Sequence, residues 1–290
     1  MQIRLLLFIG LFLAGFFRSA FADEMQVLEK GMSFYYQKDW DQAISSFKTV
    51  LQENPKNTMA VSFLLVSHLQ KGTLDKAIDE IEDKLIDNPR DPVMQSYLGF
   101  AMYARSIHKG RQVREDAMRE FRGAAIQEAL GLTHTGLGLL YQDRGQLSRA
   151  RKEFQRALEL DNKDLLAMEY LGQLYLYEEK RSEDAGKLFS RIIQLAPGYP
   201  DAYFYLARVS EEAGRINEAV NYYKRTIDLD PNGVGRGYTA PAYLGELYLK
   251  QKEYSLAANA FRQALKHNPN SAVIKQKLER AEKGASGETK

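Results

Sequence analysis

The side chains best suited to chemistry are scattered along this chain. Histidine binds metals and transfers protons near neutral pH, and the four histidines are His68, His108, His134 and His267. Their spacing matches no metal-ligand motif. Glu178–Glu179 and Glu211–Glu212 are adjacent pairs, and adjacent side chains on a helix do not face each other. The sequence also lacks a phosphate-binding loop and a nucleophile elbow, so it predicts no enzyme activity, no metal and no cofactor.

The first 22 residues have the composition of an export signal. A basic start at 1–4 precedes a 13-residue apolar run at 5–17, and 20–22 supplies small residues at both positions that a signal peptidase recognises. A helix that spans a membrane needs about 20 apolar residues, more than this run contains. We therefore expect cleavage before Asp23 and a periplasmic or secreted protein, most simply in a Gram-negative bacterium. A retained membrane anchor is the alternative.

Charge and cysteine content limit the partners. The formal net charge is +2, and without Arg4 and Arg18 of the leader the remaining chain has 38 basic and 38 acidic residues. A nucleic-acid binder would need a basic excess, so we expect no nucleic-acid partner. The chain has no Cys, which excludes disulfides and a lipidated cysteine. No second apolar stretch approaches membrane length, so we expect no membrane insertion after signal cleavage.

A spacing of about 34 residues organises most of the chain. An Ala is followed four residues later by an aromatic residue or Ile, and twelve residues after the Ala by a Pro. This triplet occurs as Ala43, Phe47 and Pro55; Ala77, Ile81 and Pro89; Ala185, Phe189 and Pro197; Ala219, Tyr223 and Pro231; and Ala257, Phe261 and Pro269. One such unit cannot bury its own apolar face, so neighbouring units must stack into a solenoid.

Each unit has the pattern of two helices joined by a tight turn. In the first helix a Leu precedes a small residue, as at Leu137 and Gly138, and the small residue lets a second helix approach closely. Gly72, Gly145 and Gly214 occupy one position in their units, where the turn needs a positive φ. Pro then ends the second helix. Strong helix formers dominate throughout, so we expect an all-α fold.

These residues resemble the tetratricopeptide repeat family, whose units carry a small residue at position 8, Ala at 20, an aromatic residue at 24 and Pro at 32. The resemblance covers residues 24 to about 271. It implies a right-handed superhelical solenoid of about seven helix-turn-helix repeats with a C-terminal capping helix. We place the repeats at 24–57, 58–91, 92–130, 131–164, 165–199, 200–233 and 238–271, the capping helix at 272–283 and a disordered tail at 284–290.

Three departures from the period carry further predictions. Leu65 stands where a small residue is expected, so the two helices of the second repeat should lie further apart. Ala117 falls six residues late, and we assign the extra length to a basic loop at 105–111. Four extra residues precede the seventh repeat, within the glycine-rich stretch 233–237, and we expect a flexible joint there.

The resemblance also implies where a partner binds, because the first helix of each such repeat lines the concave side. In repeats 1 to 3 the lining positions are apolar or aromatic: Met25, Leu28, Met32, Tyr35, Tyr36, Met59, Val66, Val93, Phe100 and Tyr103. Later repeats are polar and mostly acidic there, with Arg208 among them. We take these eleven residues as partner-binding, since exposed apolar patches mark interaction sites. The alternative is that the preceding segment, from Asp23 onward, or a neighbouring repeat covers the apolar set.

The predicted function is that of a non-enzymatic scaffold that binds a protein or peptide segment in its groove. By analogy with similar exported repeat proteins it would assist assembly of an envelope, pilus or secretion complex. Repeats that grip a C-terminal carboxylate have Lys and Asn where this chain has Leu28 and Met32, which disfavours a chaperone-tail cofactor. Two alternatives remain, a self-assembling structural protein and a glycan-binding accessory of polysaccharide export. The latter would use as stacking platforms Tyr97, Tyr170, Tyr205 and Tyr243.

Overall fold

The computed structural model describes residues 22–109 and 111–287 of the 290. The predicted export signal, except for its last residue, lies outside these ranges. Within them the chain forms fifteen α-helices and no β-strand. The helices are α1 (22–36), α2 (Trp40–Glu53), α3 (Thr58–Lys71), α4 (Leu74–Asp87), α5 (Pro92–Lys109), α6 (Arg111–Gln127), α7 (Gly131–Asp143), α8 (Leu147–Leu160), α9 (Leu165–Gln173), α10 (Ser182–Leu195), α11 (Pro200–Glu212), α12 (Ile216–Leu229), α13 (Ala240–Lys250), α14 (Tyr254–His267) and α15 (Ala272–Ala285).

Consecutive helices pair, α1 with α2 through to α13 with α14, and the pairs stack into a right-handed superhelix. The odd-numbered helices line its inner side, and α15 packs on α14 at the end of the stack. This confirms the predicted all-α solenoid. The last helix continues to Ala285, two residues into the predicted tail. A Cβ atom on Gly284 would lie 2.4 Å from the ring of Tyr254, so the glycine lets α15 pack closely there.

A glycine facing an aromatic ring holds most of the pairs together. In the fourth repeat a Cβ atom on Gly138 would lie only 2.4 Å from Phe154, closer than any side chain tolerates. The ring therefore packs directly on the helix backbone and is fully buried. The same arrangement pairs Gly31 with Phe47, Gly99 with Phe121, Gly172 with Phe189 and Gly245 with Phe261. The second repeat, with Leu65 and Ile81, lacks both partners.

The extra residues of the third repeat lengthen its helices and do not form the predicted basic loop. Helices α5 and α6 contain 18 and 17 residues, whereas no other described helix exceeds about four turns. Arg105, at the start of the predicted loop, lies on α5 and forms an ion pair with Asp75 of α4. A longer helix is more stable than a loop here because the added segment still contains strong helix formers. Its arginine also pairs with an acidic side chain of α4.

The glycine-rich stretch before the seventh repeat is an ordered loop, so the predicted flexible joint is wrong. The carboxylate of Asp230 accepts hydrogen bonds from the backbone N–H groups of Val234, Gly235 and Gly237, at 2.8 to 2.9 Å. A short 3₁₀ turn, Arg236–Tyr238, follows. A Cβ atom on Gly237 would lie 2.0 Å from the carbonyl oxygen of Asp230, so glycine is needed for this wrapping.

The superhelix turns back onto its own start. The backbone N–H of Gly198 donates to Glu29 on α1 at 2.7 Å, and Asn232 donates to the carbonyl oxygen of Tyr36 at 3.1 Å. The ring of Phe63 on α3 packs edge-on against Tyr199, with centroids 6.2 Å apart. We call this contact zone between α1–α3 and the 161–237 segment the seam. It joins the first two repeats to the fourth-to-fifth junction and to the loops around α11.

Candidate functional site

Most of the predicted partner-binding set is buried. Seven of its members are at most 9% exposed: Met25, Leu28, Met32, Tyr35, Tyr36, Met59 and Phe100. The expectation of an exposed apolar groove in the first three repeats is therefore wrong. Its physical reason is that the 161–237 segment, which is not a neighbouring repeat, covers the buried members on α1 and α3 at the seam. A partner could reach them only after the seam opens. Phe100, on α5, packs against Phe121 of its own repeat.

Four of the predicted residues keep partial exposure, namely Val66, Val93, Tyr103 and Arg208. Their role in binding a partner stays a prediction. The tyrosines suggested as glycan platforms have their ring faces occupied by the chain itself. Tyr170, Tyr205 and Tyr243 stack on Phe154, Phe189 and Tyr223, with centroids 4.9 to 5.9 Å apart, while the hydroxyl of buried Tyr97 donates to the carbonyl of Pro55.

The inner side of repeats 5 to 7 instead presents an arginine among tyrosines. The guanidinium of Arg208 lies 4.8 Å above the ring of Tyr243 and forms an ion pair with Glu211 on the next turn of α11. The hydroxyl of Tyr223 donates to the same carboxylate at 3.1 Å. Tyr177 completes this Arg208 cluster and is 36% exposed. Aromatic and arginine side chains held in this way are typical of the residues that dominate protein interfaces.

A π-helical turn positions Tyr177. Leu174–Glu178 extends α9 with this wider turn, in which the N–H of Glu179 donates to the carbonyl of Leu174. Such turns absorb one inserted residue and are frequent at functional sites. This turn is not among the sequence-based predictions above, although the sequence carries a signal for it, since Ala185 follows Ala150 by 35 residues and not by 34.

Buried carboxylates lie behind the Arg208 cluster, at the seam. Glu169 accepts hydrogen bonds from the hydroxyl of Tyr199 and, at 2.9 Å, from Gln173. Burial raises the pKa of Glu169 to about 8, and burial likewise raises the pKa of Asp201 to about 6. The backbone N–H of Arg236 donates to Asp201 at 3.0 Å. The inner face predicted to be mostly acidic thus has its carboxylates buried or paired.

Stability should fall as the pH rises from about 5 to about 8. A carboxyl whose pKa is higher in the folded than in the unfolded state contributes stability at low pH, and loses it as pH rises through the folded pKa. Glu169→Gln should remove the part of this slope that its carboxyl supplies, about 3 to 4 kcal/mol between pH 5 and pH 8. Chemical denaturation at pH 5 and pH 8 measures it. Glu183→Gln, at an exposed carboxylate, is the control and should leave the slope unchanged.

A superhelix of helix pairs with an inner cluster of aromatic and arginine side chains defines a protein-interaction scaffold. The sequence models of one family match residues 28–92, 135–200, 176–240 and 242–271, and each is described as a tetratricopeptide repeat. The chain therefore belongs to the tetratricopeptide repeat family. Within the described ranges, no helix is long and apolar enough to cross a membrane, and no three His, Asp or Glu side chains are grouped to bind a metal.

Among curated proteins, the chain is similar to Superkiller protein 3 of Schizosaccharomyces pombe, with 23% identity over 89% of this chain and 19% of that protein. It is also similar to Hsp70-Hsp90 organizing protein 2 of Arabidopsis thaliana, with 22% identity over 85% of this chain and 42% of that protein. The chain thus spans less than half the length of either.

Two solved structures share the fold. The structure of PilF from Pseudomonas aeruginosa matches 77% of this chain and 97% of its own, with a TM-score of 0.59 and 18% identity. The Cut9 and Hcn1 hetero-tetramer of the APC/C matches 86% of this chain and 47% of its own, with a TM-score of 0.64 and 14% identity. At these identities the likeness shows the fold alone.

Proposed function

We propose that this protein is a non-enzymatic scaffold, exported to the periplasm, that binds a segment of a partner protein on its Arg208 cluster. The role that fits such a scaffold is assembly of an envelope, pilus or secretion complex. Membership of the tetratricopeptide repeat family supports the scaffold, and the leader at 1–22 supports export. We place the partner surface on repeats 5 to 7 and not on the first three repeats, where the seam covers most of the predicted residues.

The observation that carries this proposal is that the side chains of the Arg208 cluster are held in place by neighbours and are still partly exposed to solvent. Arg208 is held by Glu211 and Tyr243, so its guanidinium loses little freedom when a partner binds. Its side chain is still 24% exposed, and the ring of Tyr177 is 36% exposed beside it. Tyr177 can pack on an apolar anchor while Arg208 pairs with a carboxylate or carbonyl of the bound segment.

Photo-crosslinking in cells tests the site. A crosslinking amino acid at position 177 should capture one discrete partner, and Arg208→Ala should reduce the capture strongly. The control position is Tyr238, which is 47% exposed and outside the cluster. Equal capture from 177 and 238, or capture that Arg208→Ala leaves unchanged, would show that the cluster is not the binding site.

Fractionation tests the export. The protein should be found in the periplasmic fraction with Asp23 as its first residue. A chain that stays in the cytoplasm, or that begins at Met1 and remains in the membrane fraction, would contradict this part of the proposal without bearing on the cluster.

A further inference from the structure

A cavity of about 380 Å³ opens on the outer side of the second repeat, away from the Arg208 cluster. Residues of α2, α3, α4 and the start of α5 line it. Its lining is mainly apolar and includes Leu51, Leu64, Leu65, Ile81, Met94 and Tyr97. This volume lies within the range of pockets that bind small molecules, about 300 to 1,000 Å³.

The cavity arises from the one repeat that lacks the glycine and ring. In the fourth repeat Phe154 fills the space above Gly138. In the second repeat Leu65 occupies the glycine position and Ile81 the ring position, and both line the cavity. Leu65 holds α4 away from α3, and Ile81 is too short to fill the gap, so space is left beside them.

One polar group in the cavity is unsatisfied. The Nδ1 atom of His68 lies 2.9 Å from the hydroxyl of Thr73, while its Nε2 atom is buried and has no hydrogen-bond partner in the described part of the chain. His68 is only 8% exposed, and it lines the cavity. A buried polar atom without a partner costs free energy, which a ligand atom at that point would recover.

The rim of the cavity carries a net positive charge. Lys48 of α2 pairs with Glu80 of α4 at 3.2 Å, across the opening. Lys84, one turn further along α4, also lines the cavity, and no ion pair to it occurs among the residues described. Two lysines against one glutamate favour an anionic head group.

We propose that this cavity binds a small amphiphilic carboxylate, with an alkyl body between Leu51, Leu65 and Ile81. Its head group lies against His68 Nε2 and the lysine rim. The cavity is separate from the Arg208 cluster. Loss of partner binding at the cluster would therefore leave ligand binding in the cavity intact, and loss of ligand binding would leave partner binding intact.

Octanoate is the test ligand, and the pH titration of the His68 ring by NMR is the readout. Burial and the charge of Lys48 lower the pKa of His68, and a carboxylate beside Nε2 should raise it. Octanol, which has the same body without the charge, should bind more weakly and leave this pKa unchanged. Hexanoate, two methylenes shorter, should bind about tenfold more weakly than octanoate. Lys84→Gln should weaken octanoate binding about threefold.

The matched control gives the second repeat the glycine and the aromatic ring that the fourth repeat has at the same positions. Leu65→Gly with Ile81→Phe should fill the cavity, keep the helical content and abolish octanoate binding. Wild-type protein that does not bind octanoate, or a folded double variant that binds it unchanged, would overturn the proposal. Octanol that binds as tightly as octanoate would overturn the choice of a carboxylate.

Discussion

Replacing Tyr36 and Phe100 together by glutamate should unfold the superhelix. The two side chains are 2% and 3% exposed, and Phe100 packs edge-on against Phe121 with centroids 5.0 Å apart. Each glutamate would remove an aromatic ring from the core and place an unpaired carboxylate there, at a cost of about 3 to 5 kcal/mol per site. If these side chains instead lined an exposed groove, the same two substitutions would spare folding, so the experiment separates the two possibilities. Urea denaturation followed by circular dichroism measures the loss.

Exposed tyrosines supply the control for that experiment. Tyr177→Glu and Tyr238→Glu introduce the same charge on side chains that are 36% and 47% exposed, and should change stability by less than about 0.5 kcal/mol. A double variant of Tyr36 and Phe100 that unfolds at the wild-type urea concentration would mean that the seam is open in solution. In that case the first three repeats would offer the apolar groove after all.

Asp164→Ala should cost about 4 kcal/mol, because one carboxylate serves three parts of the chain. It caps α9 by accepting from the backbone N–H of Ala167 at 2.9 Å. It also accepts from the hydroxyls of Thr58, on α3, and Thr135, on α7, at 2.9 and 2.7 Å. All three side chains are at most 3% exposed, so alanine would leave two buried hydroxyls and a helix N–H without their acceptor.

A mutant cycle separates the helix-capping role of Asp164 from its hydrogen bonds to Thr58 and Thr135. With Thr58→Val and Thr135→Val already present, Asp164→Ala should cost only the value of a lost helix cap, about 1 kcal/mol. Denaturation midpoints of the four proteins give the coupling. If the cost of Asp164→Ala is the same in both backgrounds, the carboxylate acts only as a cap and the seam does not depend on it.

The architecture followed from the sequence because its determinants are local. Gly138 and Phe154 are 16 residues apart in one helical pair, and their contact requires only that pair to form. The same holds for the other pairs of a glycine and an aromatic ring. The period of these residues therefore predicts the helix pairs and their stacking into a solenoid. Leu65 likewise marks, from the sequence alone, the repeat in which the cavity lies.

The three changes in repeat length can be counted in the sequence, but the structures that they form cannot be predicted from it. Extra residues in the third repeat lengthen α5 and α6, and one extra residue in the fifth becomes the π-turn that carries Tyr177. The extra residues before the seventh repeat wrap around Asp230. A loop, a longer helix and a π-turn have similar local propensities, and packing against neighbouring repeats decides among them.

The family, the helix pairs and their order can be predicted from the residues alone, because each depends on contacts within a repeat or between neighbouring repeats. Which part of the inner surface is accessible depends on contacts between distant repeats. Small rotations accumulate from one repeat to the next until the chain meets its own start, and the bond between Asn232 and Tyr36 joins residues 196 positions apart. That closure buries most of the apolar groove of the first repeats and leaves Tyr177 and Arg208, the partner surface that we propose, partly exposed.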